Sequence, residues 1–240
     1  MTSETVPTAR RRLIVAIDGP SSSGKSTVGA EAARRLRYRF CDTGLLYRAV
    51  SWLARERGVD PSDVAALLPL AEEVRLVGDS RGRLRHVEAA GRDVTAEVHK
   101  PEVDRIVSDY SKVPELRAAL VPRQRAIAAS GGIIMAGRDI GTVILPDADV
   151  KIFLYASPEE RARRRAAQRR LATTGKQAEG ILGDLQRRDD IDSHRETAPL
   201  KSADDAVVLT TDGNTFNQTV EAVVGTIRDA EAAAGARHGR

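Results

Sequence analysis

The stretch LIVAIDGPSSSGKSTVGAEAARRL, residues 13–36, decides the fold of this protein. It opens on LIVAI (13–17), a short apolar run typical of a buried parallel strand. From Gly24 to Arg35 the apolar residues follow helical spacing. Between the strand and the helix, residues 19–27 satisfy the pattern G-x-x-x-x-G-K-[ST]. In that context the pattern predicts a phosphate-binding P-loop.

The chemistry of a P-loop accounts for these residue types. Glycines let successive backbone N–H groups point at phosphate oxygens, and the helix adds the positive end of its dipole. Lys25 would place a charge beside the β- and γ-phosphates, and the Ser26 hydroxyl would ligate Mg²⁺. The alternative is a Gly/Ser-rich turn that binds no phosphate. We predict that Lys25 is catalytic, that Ser26 is the metal ligand, and that ATP is bound by Gly19, Pro20, Ser21, Ser22, Ser23, Gly24, Lys25, Ser26 and Thr27.

Strand-like and helical patterns alternate along the rest of the chain. Further strands are predicted at 39–42, 132–136, 150–156 and 206–211. Helices are predicted at 43–58, 114–129, 157–172, 177–191 and 215–231. This alternation favours an α/β protein with the P-loop NTPase fold, in which a parallel central sheet carries helices on both faces.

One region departs from the alternation. VRLVGDSRGRLRHVEAAGRDVT (74–95) has short alternating runs punctuated by glycines, which predicts antiparallel hairpins. We therefore expect a small inserted antiparallel β lobe at about 68–100, within one domain spanning 12–231. The flanking segments 1–11 and 232–240 are polar or rich in Ala, Gly and Arg, and we expect mobile tails there.

Composition narrows the functional classes. The single cysteine, Cys41, allows no disulfide framework, which suits a cytoplasmic protein. No window approaches 18 apolar residues, so we expect no membrane association. The net charge of +4 suits either a solvated basic surface or an anionic ligand. With aromatic residues at 3%, no platform for stacking nucleic-acid bases is expected.

The P-loop does not identify the acceptor, because switch GTPases and motor ATPases share it. The GTPase signature N-K-x-D is absent from the sequence. Five segments in order resemble bacterial cytidylate kinases over residues 12–230: GPSSSGKST (19–27), DTGLLYR (42–48), VPELRAALVPRQR (113–125), AGRDIGTVILPDADVKIFLYAS (136–157) and QRRDDIDSHRETAPL (186–200). The resemblance implies ATP-dependent phosphorylation of CMP and dCMP to CDP and dCDP, with Mg²⁺ as cofactor. We expect a monomer whose partners are ATP and CMP or dCMP.

The resemblance also implies roles for the first helix after the second strand. Contact with the acceptor's phosphate and sugar is implied for Asp42, Thr43, Gly44, Tyr47 and Arg48. The family often has Ser where this chain has Thr43, and the hydroxyl is retained. The alternative is a simple helix cap at Thr43 with a solvated Arg48.

Base recognition is implied for Ser108, Arg117 and Asp139. Cytosine donates from N4 and accepts at N3 and O2, so a carboxylate and a cation suit it, and uracil would leave buried polar groups unpaired. Alternatively, Asp139 is a Mg²⁺-associated carboxylate at a strand end, and Arg117 is a surface residue.

A further set is implied to contact the acceptor's phosphate and sugar. Arg138 precedes Asp139, while Arg188, Asp192 and Arg195 fall at i, i+4 and i+7, on one helical face. The alternative for this face is a solvated ion pair.

The run ERARRRAAQRR (160–170) holds six arginines and resembles the short lid of nucleotide kinases, at about 158–180. Arg161 and Arg165, four residues apart, would close on the transferring phosphoryl group as catalytic residues. We expect the other arginines of the run to be mostly solvated.

Two other functions stay open. One is a P-loop kinase with a different acceptor, such as UMP. The other is a nucleotide-regulated RNA-binding module, suggested by the basic pI of about 9.4.

Overall fold

The computed structural model describes residues 12–80 and 82–238, so the predicted tail at 1–11 lies outside the described residues. The strands are β1 (Ile14–Asp18), β2 (Arg39–Asp42), β3 (Val74–Gly78), β4 (Arg83–Ala89), β5 (Arg92–Asp93), β6 (Ile133–Gly137), β7 (Val150–Tyr155) and β8 (Val207–Thr210). The helices are α1 (Lys25–Leu36), α2 (Gly44–Glu56), α3 (Val64–Glu72), α4 (Pro101–Ser111), α5 (Pro114–Ala128), α6 (Pro158–Gln168), α7 (Lys176–His194) and α8 (Phe216–His238).

A single sheet organises the molecule, in the order β3-β4-β2-β6-β1-β7-β8, with β5 paired to β4. β1 is an interior strand and pairs in parallel with β6 and β7. Its residues alternate between two cores: Val15 and Ile17 pack in the same cluster as residues of α1 and α8. Ala16 packs on the opposite face with Ala128 of α5. The predicted α/β fold, with a parallel central sheet and helices on both faces, is confirmed.

The inserted segment forms the predicted antiparallel pairs and is also continuous with the central sheet. β3 pairs antiparallel with β4. β4 in turn pairs in parallel with β2, through Phe40 with Arg83 and Cys41 with Leu84. The edge of β2 would otherwise expose unpaired backbone groups, and β4 satisfies them. The insert therefore widens the sheet instead of forming a separate lobe.

Sequence patterns did not predict α3 or α4, and they placed the C-terminal end of α8 too early. α3 contains Pro69, which is ordinarily a helix-breaking signal. α4 begins with a proline in its first turn and follows the insert directly. At the other end of the chain, α8 continues to His238, and its Ala234 is buried. The helix thus extends past residue 231, where a tail was predicted to begin.

No helix in the described part of the chain combines the length and hydropathy needed to cross a lipid bilayer.

Gly29 of α1 provides a test of the packing between this helix and the sheet. A Cβ at this position would lie 2.8 Å from Cε2 of Phe40. We expect Gly29→Ala to lower the free energy of unfolding by about 1–2 kcal/mol, because overpacking outweighs the gain in helix propensity.

Gly225 of α8 is the matched control, since among the described residues a Cβ there meets no atom within 4 Å. Gly225→Ala should raise the free energy of unfolding by about 0.5–1 kcal/mol. Urea unfolding of both variants measures the two changes. Shifts of the same sign in both would contradict the packing described here.

Candidate active site

The P-loop connects β1 to α1 through two glycines that no other residue could replace without strain. A Cβ on Gly19 would collide with the carbonyl oxygen of Leu154 in β7. Gly24, at the start of α1, has φ +98°, a left-handed value that favours glycine. The predicted succession of strand, glycine-rich loop and helix is present, and the loop backbone curls at the carboxyl edge of the sheet.

Lys25 crosses this loop. Its Nζ donates to the carbonyl oxygen of Pro20 at 2.8 Å, and the side chain is buried. Burial, followed by the neighbouring cation of Arg138, lowers the pKa of Lys25 well below its ordinary value. An anion beside Nζ would reverse this effect, because an opposite charge favours the charged form of the amine.

Arg138, at the end of β6, ties the P-loop to α7. Its Nη2 donates to Oγ of Ser21 at 2.7 Å and its Nη1 to the carbonyl oxygen of Gly19 at 3.2 Å. Its Nε donates to Oδ2 of Asp192 on α7 at 2.8 Å. One guanidinium therefore links the donor side of the site to the helix predicted to hold the acceptor.

Arg161, predicted as a lid residue, lies beneath the P-loop instead of over it. Its guanidinium donates to the carbonyl oxygens of Ala156 at 3.0 Å and Ser21 at 3.2 Å. It also forms an ion pair with Asp189 of α7 at 2.6 Å. The side chain is 3% exposed, so its contacts are those of a residue that supports the loop.

Arg164 was expected to be solvated, and that expectation is wrong. Its Nη1 donates to Oγ1 of Thr211 at 2.8 Å and to the carbonyl oxygen of Ser23 in the P-loop at 3.3 Å. Its Nε donates to Glu160 one turn earlier at 2.7 Å. This arginine contacts the P-loop and, together with Arg165, lines the cavity described next.

A cavity of about 470 Å³ is lined by both the P-loop and the second set of arginines. Its P-loop lining is Ser21, Ser22, Gly24, Lys25, Ser26 and Thr27. The arginines that line it are Arg48, Arg138, Arg164, Arg165 and Arg188. The two groups that the sequence placed far apart thus face each other across one cleft.

The start of α2 forms the floor of this cavity. Oδ1 of Asp42 accepts from the Gly44 amide at 3.0 Å, and Oδ2 accepts from Oγ of Ser26 at 2.5 Å. Thr43 makes no side-chain cap bond; its Oγ1 donates to the carbonyl oxygen of Ala136 in β6 at 3.0 Å. Thr43 thus occupies the N-cap position of α2, as the alternative expected, but its hydroxyl binds β6 instead of capping the helix.

Arg48 is not solvated either. Its Nη1 donates to the carbonyl oxygen of Val98 at 3.1 Å, and its Nη2 pairs with Oδ1 of Asp104 at 2.5 Å. This side chain is therefore held at the cavity wall by two protein contacts.

A smaller pocket next to the cavity holds the residues predicted to read the base. Arg117 is buried, ion-paired with Asp139, and its guanidinium lies 5.3 Å from the ring centroid of Tyr47. The second oxygen of Asp139 is 3.6 Å from Nη2 of Arg195. Arg117 is therefore no surface residue. Two guanidiniums flank Asp139, an environment that suits an organic ligand better than a metal ion.

Ser108 lies apart from this pocket. It lines a neighbouring cavity of about 300 Å³ between α4 and α7, while Ser111, one turn later, lines the pocket of Arg117 and Asp139. The carbonyl oxygen of Ser111 accepts from Nη1 of Arg117 at 3.0 Å.

The residues at 188, 192 and 195 share one inward face, as their spacing predicts. Asp192 and Arg195 are each 4% exposed, and their carboxylate and guanidinium lie 3.8 Å apart. Burial, followed by the neighbouring cations Arg138 and Arg48, lowers the pKa of Arg188 to about 9. This concentration of positive charge exceeds what the local carboxylates neutralise, which is the electrostatic condition for binding a phosphate group.

Asp18, directly before the P-loop, is a buried carboxylate that the motifs did not reveal. Its Oδ1 and Oδ2 accept from the amides of Ile140 at 2.8 Å and Gly141 at 2.7 Å, and these open the π-helical turn that follows Asp139. Burial raises its pKa to about 6 despite these two bonds. The available signal was an acidic residue at the carboxyl end of a parallel strand, directly before the P-loop.

These features define a P-loop phosphotransferase of the kinase class, in which the P-loop and a cluster of arginines line one cavity. The family model described as cytidylate kinase matches residues 15–229. The chain belongs to the cytidylate kinase family.

Individual relatives agree with this membership. The chain is similar to a cytidylate kinase of Geobacillus thermodenitrificans, 45% identical over 221 residues, which cover 91% of this chain and 96% of that one. A cytidylate kinase of Streptomyces avermitilis is 40% identical over 233 residues, covering 96% and 97%. An uncharacterised protein from Eubacterium ventriosum has a similar fold, with a TM-score of 0.51 at 12% identity, covering 91% of this chain and 99% of that one.

The role of Asp18 can be tested through pH. The carboxyl binds its proton more tightly in the folded state (pKa about 6) than at its ordinary value of 3.8. Its contribution to stability is therefore full below about pH 4 and falls as pH rises through 6. Asp18→Asn removes this slope and leaves one amide unpaired, at a cost of about 1–3 kcal/mol at pH 4.

Urea unfolding of both proteins between pH 4 and 7 measures the effect. The difference in unfolding free energy between wild type and Asp18→Asn should shrink as pH rises. A difference that stays constant over this range would show that Asp18 does not titrate there.

Proposed function

We propose that this protein transfers the γ-phosphoryl group of ATP to CMP and dCMP, producing ADP with CDP or dCDP. The observation that carries the proposal is the single cavity that the P-loop shares with Arg48, Arg138 and Arg188. Phosphoryl transfer needs a donor and an acceptor held in line, and these two groups supply the two halves. Membership of the cytidylate kinase family supports cytosine as the base.

On the donor side, the P-loop amides and Lys25 would hold the triphosphate. The hydroxyl of Ser26 and the adjoining carboxylate of Asp42, 2.5 Å apart, are hard oxygen donors that fit Mg²⁺. Bound there by Ser26, Mg²⁺ would neutralise charge on the β- and γ-phosphates. The desolvated amine of Lys25 would do the same from within the loop.

On the acceptor side, Arg48, Arg138 and Arg188 would hold the monophosphate. Guanidiniums suit this task because their planar forks match phosphate oxygens. A monophosphate oxygen is ionised at neutral pH, so the reaction requires no general base. The protein's contribution is positioning and the stabilisation of charge on the transferring group.

The pocket of Arg117 and Asp139 would read the base. A carboxylate accepts from the cytosine N4 amine, and a guanidinium donates to N3 and O2. Uracil presents a carbonyl at position 4 and an N–H at position 3, so each protein group would face a mismatched partner. Both side chains are buried, and an unpaired polar group there is costly.

The lid role belongs to Arg164 and Arg165 of α6 in this proposal. Both line the shared cavity, whereas Arg161 supports the P-loop from below. Closure of α6 over the phosphates would exclude water, which competes as an acceptor. The monomeric state, the cytoplasmic location and the absence of a nucleic-acid partner stay predictions.

A panel of acceptors tests the proposed substrate. With ATP and Mg²⁺, kcat/KM for CMP and dCMP should exceed that for UMP by at least about 10², because a site built to hydrogen-bond its substrate can discriminate by up to about 10⁴–10⁵. ADP release in a coupled assay measures each rate. A preference for UMP would refute the base assignment, and salt-dependent RNA affinity without phosphotransfer would favour the RNA-binding alternative.

Arg188 tests the acceptor-phosphate site. Arg188→Met should lower kcat/KM for CMP by about 10²–10³, the effect of removing one donor that stabilises developing charge. The fold should survive, because the cation is already disfavoured by burial and by Arg138. The matched control is Arg187→Met, since Arg187 is 65% exposed and pairs with Asp184 on the surface. Equal losses in both variants would contradict the assignment.

A further inference from the structure

Asp104 of α4 lies at the centre of a cluster of arginines. Its Oδ1 is 2.5 Å from Nη2 of Arg48 and 3.9 Å from Nη1 of Arg188. Its Oδ2 is 2.8 Å from Nη2 of Arg169 and is also ion-paired with Arg165. One carboxylate, 9% exposed, thus meets four guanidiniums that come from α2, α7 and the region of α6.

This arrangement resembles the binding of an anionic ligand. A phosphate group is held in the same manner, by several guanidinium forks directed at its oxygens. Arg48 and Arg188 are two of the three arginines assigned above to the acceptor phosphate, and Arg165 lines the same cavity. Although burial opposes ionisation, the cations of Arg48 and Arg165 hold the pKa of Asp104 at about 2. The carboxylate is therefore charged throughout the neutral range.

We propose that Asp104 is a positioning residue that holds the acceptor-site and lid arginines together as an internal counter-anion, and that the phosphate group of the acceptor displaces its carboxylate from Arg48 and Arg188. The proposal rests on the proposed function for the identity of that phosphate. Under this proposal, the Asp104 carboxylate arranges the arginines before the acceptor binds. It then competes with the acceptor phosphate for Arg48 and Arg188.

Two consequences follow from the charges. First, a phosphate beside an ionised carboxylate is repelled, so Asp104 weakens acceptor and product binding while keeping the arginines in place. Second, Arg165 and Arg169 connect α6 and its C-terminal end to α4, so the same carboxylate keeps the lid against the acceptor side.

Asp104→Asn separates these roles, because the amide keeps the shape of the side chain and removes its charge. We expect the variant to bind inorganic phosphate about tenfold more tightly by calorimetry, an effect in the range of coupling between close charges. The KM for CMP should fall by a similar factor while kcat does not rise, because product release slows. Adding Arg188→Met should abolish most of the gain in phosphate affinity, which assigns that phosphate to the cluster.

The matched control is Asp109→Asn on the same helix. Asp109 is exposed and pairs with Lys112 at 3.3 Å, so its variant should leave phosphate affinity unchanged. A merely structural role for Asp104 would loosen the cluster and weaken phosphate binding. Unchanged or weaker phosphate affinity in Asp104→Asn therefore overturns the proposal. The measurement of phosphate affinity needs no nucleotide, so it tests the role of Asp104 even if CMP is not the acceptor.

A second variant covers the case in which Asp104→Asn does not fold. Arg169 is 28% exposed, contacts Asp104 and has no assigned role in catalysis. Arg169→Gln should increase amide hydrogen exchange in α6 at least several-fold in the absence of nucleotide, because one of the two ion pairs between α4 and the lid is lost. Exchange equal to that of the wild type would overturn the role of Asp104 in holding the lid.

Discussion

The ion pair between Arg138 and the buried Asp192 is the interaction on which the rest of the site depends. Arg138 follows the last residue of β6, at the carboxyl edge of the sheet, and its guanidinium also contacts the backbone of Gly19 and the hydroxyl of Ser21. The pair therefore fixes α7 relative to the P-loop. Because α7 carries Arg188 and precedes Arg195, the pair also fixes the position of these two arginines relative to the P-loop.

The site contains more positive charge than its own carboxylates neutralise. Lys25 is buried and Arg188 is half-buried, and both have pKa values lowered by desolvation and by the neighbouring cation of Arg138. Burying like charges together destabilises the folded protein. The same arrangement favours whatever brings negative charge into the cavity, and most of all the transition state, in which the charge of the transferring group is spread over its oxygens. Stability lost in the free enzyme is regained on binding.

Local patterns predicted the parts of this structure that depend on neighbouring residues. The P-loop follows from its glycines and from the strand and helix that flank it, and the inward face of α7 follows from the spacing of residues 188, 192 and 195. The pairing of β2 with β4 escaped prediction, because it joins Phe40 to Arg83 across more than 40 residues. Asp18 was missed for a similar reason, since its partners, Ile140 and Gly141, belong to a distant turn.

The arginine run shows where helical spacing is insufficient. Arg161 and Arg165 lie on one face of α6, as predicted, but spacing does not say how far along the helix the cavity begins. Ser157 caps α6 at the base of the P-loop, and helical side chains lean toward the N-terminus. Arg161, in the first turn, therefore reaches back beneath the loop. Arg164 and Arg165, one turn later, are the first able to reach the cavity.

The carboxylates that pair with these arginines differ in whether a bound ligand could replace them. Asp192 and Asp139 are each 6% exposed or less, and their ion pairs join the end of β6 to α7 and to α5. Breaking those pairs would leave buried charges unpaired, so they are fixed features of the fold. Asp104 instead joins α4 to α2 and to α6. Under the proposal above, an incoming phosphate replaces its carboxylate at Arg48 and Arg188, while Arg165 and Arg169 keep it as their partner. The counter-charge proposed to exchange with substrate is therefore separate from the two that hold the end of β6 to its neighbouring helices.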